Sequence, residues 1–456
     1  MRHPKERLVV PGRRSRSPAR FVEPGSAKLP RGYDRRQFLR LSGGIAGAAL
    51  LGACSGASSA GDGASGGGGA ASGAPSPAAD AGGMAIGSPG SPAEQPLFDD
   101  LTAIASDLEP EPGPLRIYNW ADYINQPTLD RFSEEHGVEV ELTTFYNLDE
   151  ALRKLATEDF RTDVFFPTAP VLPKYVTGKL LQPLNHDYLP NLAANVWPEL
   201  ADPFYDAGSR YSVPYAIYQT GLAWRTDQVD LDPDSLENPW DVFWDAQYEN
   251  QVGLYDDDRE ALSVALYHNG IMNPNTTDPA ELEQAAASLV ELIDLVNISY
   301  SIDGAYVKLP EGRVGIHHAW SGDMVSAPYY MPEGDDPSVL RYMWPPKGAA
   351  STTGGLISSD CMAITTNAEH PVLAHLFLNF MLDVDNALEN FGWTGYQPPL
   401  TAINPETLVA DEYVPEYLES AIVREGDFEV GEVPLQLTPA ADQAWRQAWS
   451  TAQAGG

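Results

Sequence analysis

From residue 115 onward the sequence predicts an α/β fold. Short apolar runs typical of buried strands alternate with segments whose apolar residues recur at helical spacing. Strands that alternate with helices favour a parallel sheet covered by helices. The roughly 340 residues that remain exceed the usual size of a single hydrophobic core, so we expect two lobes.

The first elements follow from these patterns in order. The sequence predicts a buried strand at 115–120, a helix at 127–136, an alternating strand at 138–145, a helix at 147–158 and a strand at 162–166. Leu129 and Phe132 should face inward from the first helix. In parallel sheets, ligands bind beyond the carboxyl ends of the strands, which is where residues 120–123 and Thr168 fall.

The N-terminus has the features of an export signal. The pair Arg35-Arg36 precedes Phe38-Leu39, an apolar stretch at 41–51 is too short to span a bilayer, and small residues lead to Cys54. We therefore predict a twin-arginine lipoprotein signal peptide at 1–53 and lipidation of Cys54, which would anchor an exported protein to the outer face of the cell membrane. The alternative is a basic N-terminus with a chance cysteine.

Composition fits an exported, acidic protein. The net charge is −36, and removing residues 1–53 makes it −45. Such a surface repels nucleic acid and anionic lipid, although salt-adapted proteins are similarly acidic. Cys361 is the only other cysteine, so a lipidated Cys54 leaves none to form an intrachain disulfide. Residues 54–112 are predicted to be the lipidated cysteine and a flexible tether, because 55–95 consist almost wholly of Gly, Ala, Ser and Pro.

Seven short motifs resemble a known family, the spermidine/putrescine-binding lipoproteins of polyamine ABC importers. In chain order they are Tyr118-Asn119-Trp120-Ala121-Asp122-Tyr123, Phe166-Pro167-Thr168, Tyr211-Ser212-Val213-Pro214-Tyr215, Asp256-Asp257-Asp258-Arg259-Glu260, Trp320-Ser321-Gly322, Asp360-Cys361-Met362-Ala363-Ile364 and Gly395-Tyr396. Each motif is weak alone, but together they are specific. The likeness spans residues 115 to about 396.

The resemblance implies a two-lobed periplasmic-binding-protein fold, in which each lobe is a mixed sheet flanked by helices and the ligand lies in the interlobe cleft. It places lobe 1 at 113–221 and 360–402, and lobe 2 at 222–359 and 403–456. It also implies a monomer that delivers a small cationic ligand to ABC permease subunits, without a cofactor.

A polyamine needs carboxylates at its ammonium groups and aromatic faces along its methylenes. The resemblance assigns Asp257 and Glu260 to one ammonium and Asp360 to another. The implied wall and supporting groups are Trp120, Asp122, Tyr123, Thr168, Trp320 and Tyr396. Asp323 is a further acidic candidate that could face the cleft.

Each assignment has a structural alternative. Asp257 and Glu260 have the spacing of a helix capping box, and Asn269-Gly270 would end that helix. Asp360 could be a solvated turn carboxylate, Asp323 could lie in a surface loop, and Trp120 and Trp320 could be core aromatics. The cap and binding interpretations can coexist, because a helix N-terminus keeps a carboxylate ionised.

Two positions depart from the family pattern, and two rival functions remain. Pro170 stands where an aromatic is expected and Ser358 where a tryptophan would stack, so another amine, a cationic amino acid or an iron complex are alternative cargoes. A hydrolytic enzyme is disfavoured, because the sequence from residue 115 onward contains no Gly-x-Ser-x-Gly elbow and no Gly-rich phosphate loop. The pair His317-His318 should point to opposite faces of a strand, so we predict no metal site.

Overall fold

The computed structural model describes residues 83–157, 159–232, 235–345 and 354–455. The predicted signal peptide, the lipidation of Cys54 and the first part of the predicted tether lie outside these residues.

The strands of the described residues form one mixed sheet. They are β1 (Leu115–Trp120), β2 (Val140–Phe145), β3 (Val164–Phe165), β4 (Ser212–Arg225), β5 (Val252–Leu254), β6 (Ser299–Tyr300), β7 (Ile316–Trp320), β8 (Leu340–Met343) and β9 (Leu356–Ile364). Their order is β2-β1-β3-β9-β4-β7-β5-β6, with β8 also paired to β4.

Helices cover the sheet. They are α1 (Gln126–His136), α2 (Leu148–Leu155), α3 (Leu172–Thr177), α4 (Pro190–Asn195), α5 (Pro198–Ala201), α6 (Asp258–His268), α7 (Pro279–Val296), α8 (Ser321–Ser326), α9 (Pro371–Met381), α10 (Val384–Thr394), α11 (Pro405–Ala410), α12 (Asp427–Val430) and α13 (Pro439–Ala454). A short π-helix spans Gly304–Lys308.

The elements predicted from 115 to 166 are present. Strand β1 has the predicted bounds and pairs in parallel with both β2 and β3. Leu129 and Phe132 are buried on α1 as expected. Strand β2 does not show the expected alternation in burial, because it lies at the edge of the sheet and its four central residues are exposed. Asn147 caps α2 by accepting from the Glu150 amide.

Strand β4 connects two groups of elements. Its first part pairs with β9, and from Thr220 it pairs with β7, joined by β8 from Leu222. Around its first part lie α1 and α9 with the buried side chains of Phe132 and Phe377. Around its last part lie α6, α7 and α13, which bury a separate apolar cluster. This arrangement is the two-lobed α/β fold that the sequence predicts.

Residues 83–112 pack against the first group of elements. The Gln95 side chain is buried and its Nε2 donates to the carbonyl oxygens of Ala85 and Tyr205. The Tyr211 hydroxyl donates to the Pro96 carbonyl oxygen, and Glu111 accepts from two amides at the start of α9. The structure therefore differs from the expectation of a free tether for this stretch, because large and polar side chains here find specific partners.

No helix within the described ranges is both long and apolar enough to cross a membrane.

Candidate ligand-binding site

The turn after β1 positions the first candidate residues. Trp120 ends β1 and packs on Phe145, with the ring centroids 4.7 Å apart. Asp122 adopts a left-handed backbone conformation with φ of 55°, which turns the chain sharply before α1. Tyr123 follows and is buried. The turn thereby directs Tyr123 inward from the carboxyl end of β1, as the parallel-sheet rule predicts.

Asp360 lies on β9 and is buried, with 5% of its surface exposed. Its Oδ2 accepts a hydrogen bond of 2.7 Å from the Tyr123 hydroxyl. None of the described residues donates to its Oδ1. Thr168 pairs with Asp360 through an isolated backbone bridge and is half-buried. The alternative of a solvated turn carboxylate is wrong for Asp360, because the segment continues as a central strand.

Glu260 lies in the first turn of α6. Asp257 is the N-cap of this helix and accepts from the Glu260 amide at 3.0 Å. The Glu260 carboxylate does not return to the Asp257 amide. Its Oε1 instead accepts from Trp320 Nε1 at 2.7 Å and from Thr220 Oγ1 at 3.3 Å. Half of the capping box is therefore formed, and the other half is replaced by hydrogen bonds from Trp320 and Thr220.

Asp323 is held by two tyrosines. Its Oδ2 accepts from the Tyr255 hydroxyl at 2.7 Å and its Oδ1 from the Tyr396 hydroxyl at 2.8 Å. Tyr255 stacks on Trp320, with ring centroids 4.0 Å apart. The Tyr396 ring contacts Tyr123 edge to face at 4.9 Å. Asp323 is buried in α8, so the surface-loop alternative is wrong for it.

Glycine at position 322 allows this arrangement. A Cβ atom there would lie 2.5 Å from the Tyr396 ring, closer than any packed side chain permits. The residue after Trp320-Ser321 must therefore lack a side chain for Tyr396 to reach Asp323.

Burial governs the electrostatics of the carboxylates. It raises the pKa of Asp360 to about 7, although the hydroxyls of Tyr123 and Tyr218 partly offset the rise. Burial and, after it, the neighbouring Asp257 raise the pKa of Glu260 to about 8. Burial likewise raises the pKa of Asp257 to about 6. In each of these carboxyl groups, hydrogen bonds offset the effect of burial on the pKa only in part.

Charged neighbours supply only a small part of the missing compensation, because Arg259 lowers the pKa of Glu260 less than the hydrogen bonds from Trp320 and Thr220 do. Across the described ranges, no lysine or arginine forms an ion pair with Asp360 or Glu260. Arg259 is adjacent in sequence, but its guanidinium donates to the carbonyl oxygens of Leu435 and Pro274. His318 Nε2 lies 3.9 Å from Glu260 Oε2, and burial lowers its pKa well below the usual value, so the ring is neutral.

Sequence reasoning missed two tyrosines of this site. Tyr255 links Trp320 to Asp323, since its hydroxyl also accepts from the Trp320 amide at 2.9 Å. Tyr218 lies 6.1 Å from the Trp320 ring and 5.9 Å from the Tyr396 ring. Continuing the strand from the motif at 211–215 would have placed residue 218 on a face of β4.

Most of the predicted residues come together, and a few stand apart from the central cluster. A chain of direct contacts runs from Asp360 through Tyr123, Tyr396, Asp323, Tyr255 and Trp320 to Glu260. Burial raises the pKa of Tyr306 in the π-helix, and Asp323 and Asp122 raise it further, so both carboxylates lie near this side chain. The other three predicted residues make separate contacts. Trp120 packs on Phe145, Thr168 forms a backbone bridge with Asp360, and Asp257 caps α6.

The two histidines at 317–318 lie in the core. Their rings are nearly parallel, with centroids 5.6 Å apart, and both are buried. Cβ atoms at positions 253 and 304 would clash with the His317 ring, so glycine at both positions leaves the space that this ring occupies in the core. Among the residues that the structure describes, no group of three or more His, Cys, Asp or Glu side chains could hold a metal ion.

Comparison with known proteins identifies relatives of this chain by sequence. A spermidine/putrescine-binding periplasmic protein of Salmonella typhimurium is 30% identical over 286 residues, covering 62% of this chain and 77% of that protein. A putrescine/cadaverine-binding protein of Pseudomonas aeruginosa is 29% identical over 299 residues, covering 64% of this chain and 80% of that protein.

Solved structures agree with the fold. A spermidine/putrescine ABC transporter substrate-binding protein from Streptococcus pneumoniae superposes with a TM-score of 0.60 at 26% identity, covering 75% of this chain and 98% of that chain. The model of the family described as bacterial extracellular solute-binding protein matches residues 128–415. Since this match spans more than half of the sequence, the chain belongs to the bacterial extracellular solute-binding protein family.

Proposed function

We propose that this protein binds a polyamine in the cleft between its lobes and delivers it to an ABC importer. Its relatives named above bind spermidine, putrescine or cadaverine by their descriptions. The family consists of solute-binding proteins, which favours transport over catalysis.

One observation carries the proposal. Asp360 and Glu260 are buried, and each has one carboxylate oxygen to which no described residue donates, Oδ1 and Oε2 respectively. A buried carboxylate without a partner is costly, and an ammonium is the group that would satisfy it. These two carboxylates come from different lobes, so a ligand with two ammonium groups could bridge them and stabilise the closed form.

The aromatic side chains suit the rest of such a ligand. Trp320 stacked on Tyr255, together with Tyr123 and Tyr396, presents ring faces and edges between the carboxylates. Rings of this kind pack on methylene groups and attract cations. We propose the remaining predicted residues, Trp120, Asp122, Thr168 and Asp257, as the outer part of the same site.

The lobes and the location belong to the proposal. We infer lobe 1 at 113–221 and 360–402 and lobe 2 at 222–359 and 403–456, which is supported by the change in the partners of β4 near Thr220. We also propose export through the twin-arginine signal and anchoring by lipid on Cys54, so that a monomer meets its permease at the outer face of the membrane.

Isothermal titration calorimetry tests this function. Putrescine, cadaverine and spermidine should bind, while arginine, phosphate and ferric citrate should not. Asp360→Asn should weaken polyamine binding by at least about tenfold, because one partner of a buried charge pair is lost. The surface variant Glu141→Gln is the control and should bind as the unchanged protein does. Binding of phosphate or ferric citrate alone, or equal affinity in Asp360→Asn, would contradict the proposal.

A further inference from the structure

One face of the two central strands carries polar groups of the cleft. Alternation along β4 places Ala216, Tyr218 and Thr220 on the same side. The antiparallel register sets Ala216 opposite Asp360, and Thr220 donates to Glu260 at 3.3 Å. Tyr218 therefore lies between the level of Asp360 and the level of Glu260.

The middle of this face is aromatic and uncharged. Ala216 and Thr220 are four residues apart, which is about 13 Å along a strand. The pair that faces each other between them is Tyr218 and Ser358. The Tyr218 hydroxyl interacts with the Ser358 side chain and with the Asp360 carboxyl group. Tyr218 and Ser358 themselves carry no charge.

Tyr218 faces Ser358, the position at which the family pattern leads us to expect a tryptophan. Ser358 is buried with 4% of its surface exposed, and its side chain is too short to stack on a ligand. The Tyr218 ring instead contacts Trp320 and Tyr396 edge to face. The aromatic surface in the centre of the cleft thus comes from β4 rather than from β9.

We propose that Tyr218 determines ligand specificity, selecting diamines over polyamines that carry an internal ammonium. This inference rests on the proposed function. The ring would cover the methylene groups midway between the ammonium groups bound by Asp360 and Glu260. Asp360 and Glu260 would already pair with the terminal ammonium groups, so an ammonium at this level would lose its water without an ionised partner of its own. The attraction of a tyrosine ring for a cation is smaller than that loss.

The other buried carboxylate of the cleft does not alter this expectation. Both carboxylate oxygens of Asp323 accept hydrogen bonds from tyrosine hydroxyls, one from Tyr255 and one from Tyr396. A central ammonium would have to displace one of these bonds to reach Asp323.

Titration of putrescine, cadaverine and spermidine into three variants tests the inference. The unchanged protein should bind the diamines at least about tenfold more tightly than spermidine. Tyr218→Phe keeps the ring and should preserve this ratio. Tyr218→Ala removes the ring and should reduce the ratio at least about fivefold. Tyr175→Phe, whose hydroxyl donates to the Leu148 carbonyl oxygen in the core of lobe 1, is the control for losing a buried tyrosine hydroxyl.

The outcomes separate the two proposals. If the unchanged protein binds none of the three amines, the proposed function fails. If it binds them but prefers spermidine, or if Tyr218→Ala and Tyr218→Phe show the same ratio as the unchanged protein, only the role of Tyr218 is overturned. Far-ultraviolet circular dichroism confirms that each variant is folded before its affinity is interpreted.

Discussion

At the scale of single residues, the cleft contains two carboxyl groups, those of Asp360 and Glu260, in an environment that favours their neutral form. The pKa values of about 7 for Asp360 and about 8 for Glu260 lie well above the usual values, and burial is the first cause of both. Binding a doubly charged amine would reverse this preference, because an adjacent ammonium lowers the pKa of a carboxyl group.

The first prediction concerns the pH dependence of binding. Each carboxyl group must lose its proton to pair with an ammonium, so affinity for putrescine should rise as the pH rises from about 6 to about 8, with protons released. Calorimetry at pH 7 in two buffers of different ionisation enthalpy measures this release. Asp360→Asn should release fewer protons. Affinity that is independent of pH across this range would contradict the assignment.

The second prediction concerns stability without ligand. A carboxyl group whose pKa is raised in the folded state holds its proton there while the unfolded chain loses it, so the folded state loses stability as the pH rises from about 4 to about 8. The double variant Glu260→Gln, Asp360→Asn should therefore show a melting temperature that falls less over this range than that of the unchanged protein. Thermal denaturation at pH 5 and pH 8 compares the two proteins. An equal fall in melting temperature would show that these two carboxyl groups do not cause the loss of stability.

Local sequence patterns could identify these residues only in part. The motifs named Asp360, but its preceding glycines and serines also suggested a turn. What buries it is pairing with β4, a strand more than a hundred residues away. Tyr218 and Tyr255 could not be distinguished among 21 tyrosines, because contacts between distant segments give them their roles.

At the scale of elements, α6 serves two purposes at one end. Asp257 caps the helix, and the Glu260 side chain accepts from Trp320 instead of turning back to the N-cap amide. The sequence predicted the cap and the end of the helix, and Gly270 does adopt the left-handed conformation after it. It could not predict that half of the capping box would be exchanged for Trp320, since that partner comes from β7.

The third prediction separates the cap from the charge. Asp257→Asn retains a capping oxygen, whereas Asp257→Ala removes it. We expect only the alanine variant to lose about 1 kcal/mol of unfolding free energy, measured by chemical denaturation. Both variants should bind putrescine more weakly, because both lose the negative charge beside Glu260. If the asparagine variant binds normally, Asp257 is a cap alone.

At the scale of the whole molecule, an ion pair joins elements of the two lobes. Arg446 on α13 donates to both oxygens of Asp149 on α2, at 2.5 and 3.2 Å. Helix α13 packs with the helices of lobe 2, while α2 begins directly after β2 of lobe 1. Neither residue is among the candidate ligand contacts, so we expect the pair to stabilise a closed form from outside the site.

The fourth prediction follows from this pair. Asp149→Asn should speed putrescine dissociation by up to about fivefold, since exposed ion pairs contribute at most about 1 kcal/mol. High salt should reduce the difference between the variant and the unchanged protein. Stopped-flow measurement gives the rates. Asp442→Asn is the control, because Asp442 pairs with Arg446 within α13. Equal dissociation rates for Asp149→Asn and the control would exclude a role in closure.

The continuity of β4 has a mechanical consequence. A single backbone runs from the pairing with β9 into the pairing with β7, and its register with β9 shifts between Pro214 and Ala216. Opening the cleft must therefore bend a hydrogen-bonded strand, because no flexible loop replaces β4 at this point. A paired strand resists large bending. The ligand-free protein should therefore sample a narrow range of interlobe angles and present a nearly constant surface to its permease.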